Sequence, residues 1–273
     1  MKFGFIAPNN WGIDDVVGVA QVGVTAEALG LDSIWVNHHI VNAGYIADRL
    51  DNRPYHDALT VLTWMAAQTT KITLGTSVLV MPYLHPMVTA KALATLDQMS
   101  GGRLIAGLGV GSLPEENAIL GVGYEGRGLL GDEFIDVMDA LWTQDSASYS
   151  GEHYSFDGVV ASPKPVAGTL PVWIGGSGAP ARWRAAKYGV GWHPMVSVGG
   201  LAKRVPEMVR ALEANGRTRD EIVVAPRVDI KAVPDAAAVD AWREAGADEL
   251  IVGVSSHELA DHLDGLDHVA SLM

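Results

Sequence analysis

Residues able to do chemistry gather at a few places in this chain. The first is Trp35-Val36-Asn37-His38-His39, where two adjacent histidines close an apolar run. In a buried strand, neighbouring side chains face opposite ways, so only one imidazole is expected to enter a site. Two readings stay open here. One of the pair is a hydrogen-bonded core histidine, or it moves protons and stabilises charge, work that suits imidazole near neutral pH. Zinc is a poor third choice, because no HExxH or comparable ligand spacing is present.

The second place is Gly175-Gly176-Ser177-Gly178, between a strand-like and a helix-like segment. Closely spaced glycines let backbone N–H groups approach an anion, and a helix N-terminus adds a favourable dipole. The helix that follows carries Arg182, Arg184 and Lys187 with no acidic residue, which is either a local positive island or a solvated face. Gly107-Leu108-Gly109-Val110-Gly111 superficially resembles a dinucleotide fingerprint. Serine at 112 and the helix delay imposed by Leu113-Pro114 break that pattern, so NAD is rejected as a resident cofactor. Glycines there are expected to let a ligand approach a strand end. Ser112 lacks a G-x-S-x-G elbow, which argues against a serine hydrolase. Asp97 and Arg103 flank a tight turn, where an ion pair is expected. Trp11, just beyond Pro8-Asn9-Asn10, is placed to wall a pocket.

Positioning these groups requires a scaffold, and the chain alternates strand-like and helix-like runs. The strands are expected at Lys2–Pro8, Ser33–His39, Ile72–Met81, Arg103–Gly109, Pro171–Gly175, Gly191–Met195, Ile222–Val233 and Glu249–Val254. Helices fall between them, the first at Asp14–Leu29 with Asp14 as its cap. Several strands are apolar on both faces, as in a parallel sheet covered by helices. Eight such units without a linker favour a closed (β/α)8 TIM barrel, one domain over residues 1–273, with a short insertion around residues 149–166. A doubly wound sheet is the alternative. In a barrel, the site lies where strands end and helices begin. That rim comprises Asn9–Trp11, Asn37–Ile40, Thr76–Pro82, Gly109–Glu115, Gly175–Gly178, His193–Met195, Arg227 and Ser255–His257.

Composition removes whole classes of function. Cysteine is absent, which excludes disulfides, thiolate zinc sites, Cys-ligated iron–sulfur clusters and cysteine nucleophiles. A net charge of −13 argues against general affinity for nucleic acid or anionic lipid. No signal peptide and no membrane-spanning run is read, so the cytoplasm is the expected location.

From Lys2 to about Pro194 the chain resembles the luciferase-like monooxygenase superfamily, and most of all its short coenzyme F420-dependent oxidoreductases. The resemblance rests on LGTSVLVMPYLHPMVTAKALATLDQMSGGRLIAGLGVGSLPEE (Leu74–Glu116), on PKPVAGTLPVWIGGSGAPARWRAAKYGVGW (Pro163–Trp192) and on DSIWVNHH. It implies a cofactor ring across the mouth of the barrel, with Thr76, Ser77, Val78, Gly111 and Ser112 against it. It also implies a non-proline cis peptide at Ser77–Val78, His39 at the reactive ring position, and the phosphate tail at Gly175, Gly176 and Ser177. Homodimers are common in the family.

The departures from the family pattern bear on chemistry. The acid that usually precedes the histidine is His38 here. Ala43 and Ser112 replace a tryptophan and a glutamate of the sugar-phosphate dehydrogenases, so that activity is not expected. His38 or Glu115 then becomes the expected proton source beside His39. The implied function is hydride transfer between F420 and a small organic substrate, and the aromatic and amide content of the loops Asn9–Trp11, Val41–Pro54 and Gly121–Leu130 permits a mostly apolar one. The alternatives are an FMN monooxygenase supplied with reduced flavin by a partner enzyme, and a flavin-binding protein without turnover.

Overall fold

A strand in a covered parallel sheet can be buried on both faces, and the strands Ser33–Val36, Leu104–Gly109 and Gly191–His193 are buried at nearly every residue. The computed structural model describes residues 1–273. In chain order the elements are β1 (Lys2–Ile6), α1 (Val16–Leu29), β2 (Ser33–Val36), α2 (Gly44–Leu50), α3 (Ala58–Gln68), β3 (Thr73–Thr76), β4 (Leu79–Val80), α4 (Pro86–Ser100) and β5 (Leu104–Gly109). Then come α5 (Pro114–Leu120), α6 (Arg127–Thr143), β6 (Ala147–Ser150), β7 (Ser155–Val159), β8 (Val172–Gly175), α7 (Ala179–Tyr188) and β9 (Gly191–His193). The chain finishes with α8 (Val198–Ala214), β10 (Val223–Val224), β11 (Arg227–Asp229), α9 (Ala236–Glu244), β12 (Glu249–Gly253) and α10 (Leu259–Ser271). No helix is long and apolar enough to cross a membrane.

The main sheet is parallel and curled, in the order β10-β9-β8-β5-β3-β2-β1-β12-β11, with β4 also on β5. Its two ends belong to one short stretch of chain. The Ala225 N–H donates to Trp192 O on one side, and Ile251 N–H donates to Pro226 O on the other. The expected long strand over Ile222–Val233 is therefore two short ones, because Pro226 has no N–H to offer a ladder. The Ile72–Met81 run is likewise divided at Ser77–Val78, whose peptide bond is cis, as the resemblance implied. β6 and β7 form an antiparallel hairpin that starts two residues before the expected insertion. Asp15, not Asp14, caps α1, accepting Gly18 N–H at 2.8 Å. Asp97 and Arg103 do not pair. Asp97 accepts the N–H groups of Leu104 and Val166, and Arg103 donates to the carbonyls of Ala66, Thr69, Ile72 and Ser100.

The larger apolar core lies between the sheet and its helices. A smaller one fills the inside of the curl with Ile6, Trp35, Trp173, Ala225 and Ile251. The two indoles sit 4.8 Å apart between centroids, and they fit because glycine faces them. A Cβ at Gly75 would lie 2.3 Å from the Trp35 ring, and one at Gly191 would lie 2.2 Å from the Trp173 ring.

Below the indoles, Ser33 Oγ donates to Glu249 Oε1 at 2.5 Å and accepts Trp35 Nε1–H at 2.7 Å. Burial pushes the Glu249 carboxyl up to about 7. A carboxyl raised on folding is neutral in both states at low pH, and its ionisation opposes folding as pH climbs from the usual glutamate range through about 7. Denaturant melts at pH 5 and pH 8 should therefore show Glu249→Gln gaining on the natural chain at the higher pH, by up to about 3 kcal/mol. Equal differences at both pH values would remove Glu249 as the cause.

Candidate active site

The ends of the parallel strands surround a cavity of about 240 Å³. Its walls are Asn10, Asn37, His38, His39, Ser77, Val78, Val80, Gly111, Ser112, Met195 and Arg227 from the strand ends, with Tyr45, Ile46, Arg49 and Tyr55 from the segment after β2. Both histidines line it, against the expectation that only one would. The ladder of β2 stops at Val36, so residues 37–39 escape the strict alternation of a strand.

Each imidazole has a defined hydrogen-bonding state. Val80 N–H donates to His38 Nδ1 at 3.2 Å, which leaves the proton on Nε2. Burial holds His38 down at about 4, so it is a neutral donor at physiological pH. His39 Nδ1 lies 2.5 Å from Glu116 Oε2, and its Nε2 is 3.5 Å from the Tyr45 hydroxyl. The other Glu116 oxygen accepts the N–H groups of Ile40 at 2.6 Å and Val41 at 3.2 Å. Burial alone would raise the Glu116 carboxyl, yet these donors together bring it below the usual glutamate range. An ionised Glu116 thus accepts a hydrogen bond from His39 Nδ1–H and leaves Nε2 as the acceptor toward the cavity, the orientation needed for a general base.

Glu116 was missed in the sequence, and the neighbouring Glu115 was named instead. The first turn of α5 separates them: Glu115 is exposed beside Gly44, while Glu116 is fully buried. An E-E pair at a helix start gives no hint of which member turns inward. Its buried partner Asn117 and the apolar Leu113 mark the inward face only once the helix phase is known.

The floor is built from the Ser77–Val78 bulge. Ala225 O accepts a hydrogen bond from His193 Nδ1 at 2.6 Å, because a carbonyl has no proton to give. His193 Nε2 is therefore bare and accepts the Ser77 hydroxyl proton at 2.8 Å. Burial holds His193 at about 4, so this arrangement persists through neutral pH. With its proton directed inward, Ser77 Oγ offers lone pairs upward, near Arg227 Nη1. Thr76 does not reach the cavity. It is buried, and its hydroxyl donates to Gly107 O at 2.7 Å.

The glycines of β5 and β8 leave room for the bulge, a role their spacing in the sequence does not announce. A Cβ at Gly107 would lie 1.7 Å from Thr76 O, and Cβ atoms at Gly109 and Gly175 would lie 2.6 Å and 2.9 Å from the Val78 methyls. Gly175, Gly176 and Ser177 sit beside the cavity, behind Met195. Ser177 Oγ donates to Met195 O at 2.8 Å and accepts its N–H at 3.1 Å. The N-terminus of α7 has no side-chain cap.

The positive island expected there is largely neutralised from other helices. Arg182 pairs with Glu207 and Arg184 with Asp132, each at 2.5 Å, and Lys187 reaches the Tyr188 hydroxyl. Arg204, unnoticed in the sequence, also lies here without a carboxylate partner, and it donates to Ser177 O at 3.3 Å. On the far side of the cavity mouth, Trp11 stacks under the Arg49 guanidinium at 4.6 Å. Arg49 Nε and Nη2 and the Tyr55 hydroxyl are buried there without a hydrogen-bond partner.

The family model described as luciferase-like monooxygenase matches residues 1–270. The chain belongs to that family. Among curated family relatives, an F420-dependent glucose-6-phosphate dehydrogenase of Kineococcus radiotolerans is 30% identical over 215 residues, 75% of this chain and 60% of that protein. An FMNH2-dependent dimethylsulfone monooxygenase of Pseudomonas putida is 30% identical over 236 residues, 79% of this chain and 62% of that one. The chain thus spans about three fifths of each. A solved F420-dependent secondary alcohol dehydrogenase, in complex with an F420–acetone adduct, superposes with a TM-score of 0.84 at 18% identity, covering 100% of this chain and 98% of its own. That likeness fixes the shared architecture, a mostly parallel curled sheet wrapped by helices.

Proposed function

We propose that this protein is an F420-dependent oxidoreductase acting on a small organic substrate, and that its curled sheet works as a barrel closed through residues 223–229. The carrying observation is the Glu116–His39 pair, which aims a bare Nε2 into a cavity at the strand ends. Family membership supports a redox cofactor, and the F420-dependent relatives support the deazaflavin.

The residues present fit such a ring. Val78 gives an apolar surface, Ser77 Oγ accepts and His38 Nε2 donates, a mixed set suited to a heterocycle edge. Val78, Gly111 and Ser112 would hold the ring. Gly176, Ser177 and Arg204 would hold the phosphate, where the uncapped α7 N-terminus leaves N–H groups for an anion.

The deazaflavin, when bound, supplies hydride-transfer capacity. The chain supplies the proton side of the reaction. His39 Nε2 takes the proton of a substrate hydroxyl as its carbon is oxidised, or returns it in the reverse direction. Glu116 fixes the ring tautomer and offsets the charge of the imidazolium. His38, held neutral, stays a donor. The segment carrying Tyr45 and Tyr55 limits water access.

The Pseudomonas putida relative favours a second reading, an FMN monooxygenase fed by a reductase. A flavin carrier without turnover has less support, since a carboxylate meets His39 after all. Titrating the purified chain with oxidised and reduced F420 and FMN separates them. Tighter F420 binding, with reduced cofactor stable in air, is the expected result. Tighter FMN binding with oxygen-dependent turnover would replace this reading by the second.

A further inference from the structure

We propose that the molecule turned over in this pocket is a small oxyanion, a carboxylate or phosphate ester, whose charged end lies between Arg49, Arg227 and the Tyr55 hydroxyl. The inference rests on the redox reading above and adds the substrate class. It departs from the apolar substrate expected from the loops.

The argument begins with unmet donors. Buried N–H and O–H groups in folded proteins almost always have partners, and a buried donor without one is costly. Arg49 Nε and Nη2 and Tyr55 Oη are buried with none, and both side chains line one cavity. Arg227 reaches Asn37 Oδ1 at 2.5 Å and Ser77 O at 3.3 Å, both neutral acceptors. Neither guanidinium has a carboxylate within ion-pair distance.

Charge sharpens the point. The chain has a net charge of −13, so two neighbouring cations without counterions are not a consequence of composition. Burial lowers both guanidinium pKa values, and Arg49 adds to the lowering at Arg227, which places the two within each other's field. An oxyanion removes both penalties at once. A guanidinium presents its donors as a planar fork that matches a carboxylate or phosphate face, and a phenol adds a third bond. Trp11 under Arg49 keeps that fork from turning away. In the redox reading the cofactor phosphate already has its place at the α7 N-terminus, so this pair is left for the other ligand.

The test titrates the full chain with benzoate, with inorganic phosphate and with benzamide, the neutral counterpart of benzoate, by calorimetry. F420 is titrated in parallel. At least one anion should bind at least about tenfold more tightly than benzamide, and which anion does so separates carboxylate from phosphate recognition. Arg49→Met should weaken that anion by at least about tenfold and leave F420 affinity within about threefold. Tyr55→Phe, which removes one oxygen, should weaken it by a few fold and keeps the test intact if Arg49→Met melts early. Equal binding of benzoate and benzamide without a phosphate response overturns the proposal. So does a loss confined to F420, which would assign the pair to the cofactor. Failure of the natural chain to bind F420 while the anion results hold would overturn the cofactor reading alone.

Discussion

Glu116→Gln should lower kcat by about 10² to 10⁴ while cofactor affinity changes by less than about threefold. The reasoning follows protons. The glutamine oxygen can still accept the Ile40 and Val41 N–H groups, so the chain near His39 is retained. Its amide nitrogen must then face His39 Nδ1, and an amide N–H can only donate. Nδ1 becomes the bare nitrogen and Nε2 acquires the proton. The base facing the cavity is turned into a donor without moving an atom far. His39→Ala should cost a similar factor, and the double variant little more, because the two residues act as one unit. Pre-steady-state kinetics with a saturating substrate would show this. Full activity in Glu116→Gln would mean that the proton leaves by another route, with Tyr45 the nearest hydroxyl.

Gly107→Ala should be the most damaging single methyl in the molecule. Its Cβ would collide with the Thr76 carbonyl oxygen, which is backbone and cannot rotate away. Either β3 separates from β5 or the Thr76–Val78 bulge is lost. Overpacking of this kind costs about 1–3 kcal/mol where side chains can yield and more where they cannot, which in a chain of this length lowers Tm by several degrees. The same change removes the Thr76 Oγ1 to Gly107 O geometry under the cavity floor, so cofactor affinity should fall with stability. A melting curve and a cofactor titration on one sample would check both. Gly121→Ala is the control: its Cβ would meet nothing within 4 Å, so only the backbone cost of its positive φ of 70° remains.

Much of the scaffold was legible because its signals are local. Apolar runs of strand length, separated by helix-length amphipathic segments, gave nearly every element. Their failures have identifiable causes. Pro226 interrupts a strand that reads as continuous, and the Ser77–Val78 bulge interrupts another. The short helix Gly44–Leu50 has no side-chain cap to announce its start. Around the site, the strand-end residues were found because the architecture specifies where strands finish. Arg49, Tyr55 and Glu116 were not, because their positions depend on a segment that doubles back from β2 and on the rotation of one short helix. Nor can a single chain reveal that Arg182 and Arg184 find acids on other helices, since those partners lie 25 and 52 residues away in sequence.

The indoles of Trp35 and Trp173 rest where Gly75 and Gly191 leave room, on strands 40 and 18 residues distant. Size is therefore traded across the interior between positions that are not neighbours along the chain. A lineage in which either glycine gained a side chain should carry a smaller residue where the facing tryptophan stands, and the two changes should be inherited together. The floor under Ser77 and His193 thus evolves by paired steps, which makes it slower to drift than the loops above it that choose the substrate.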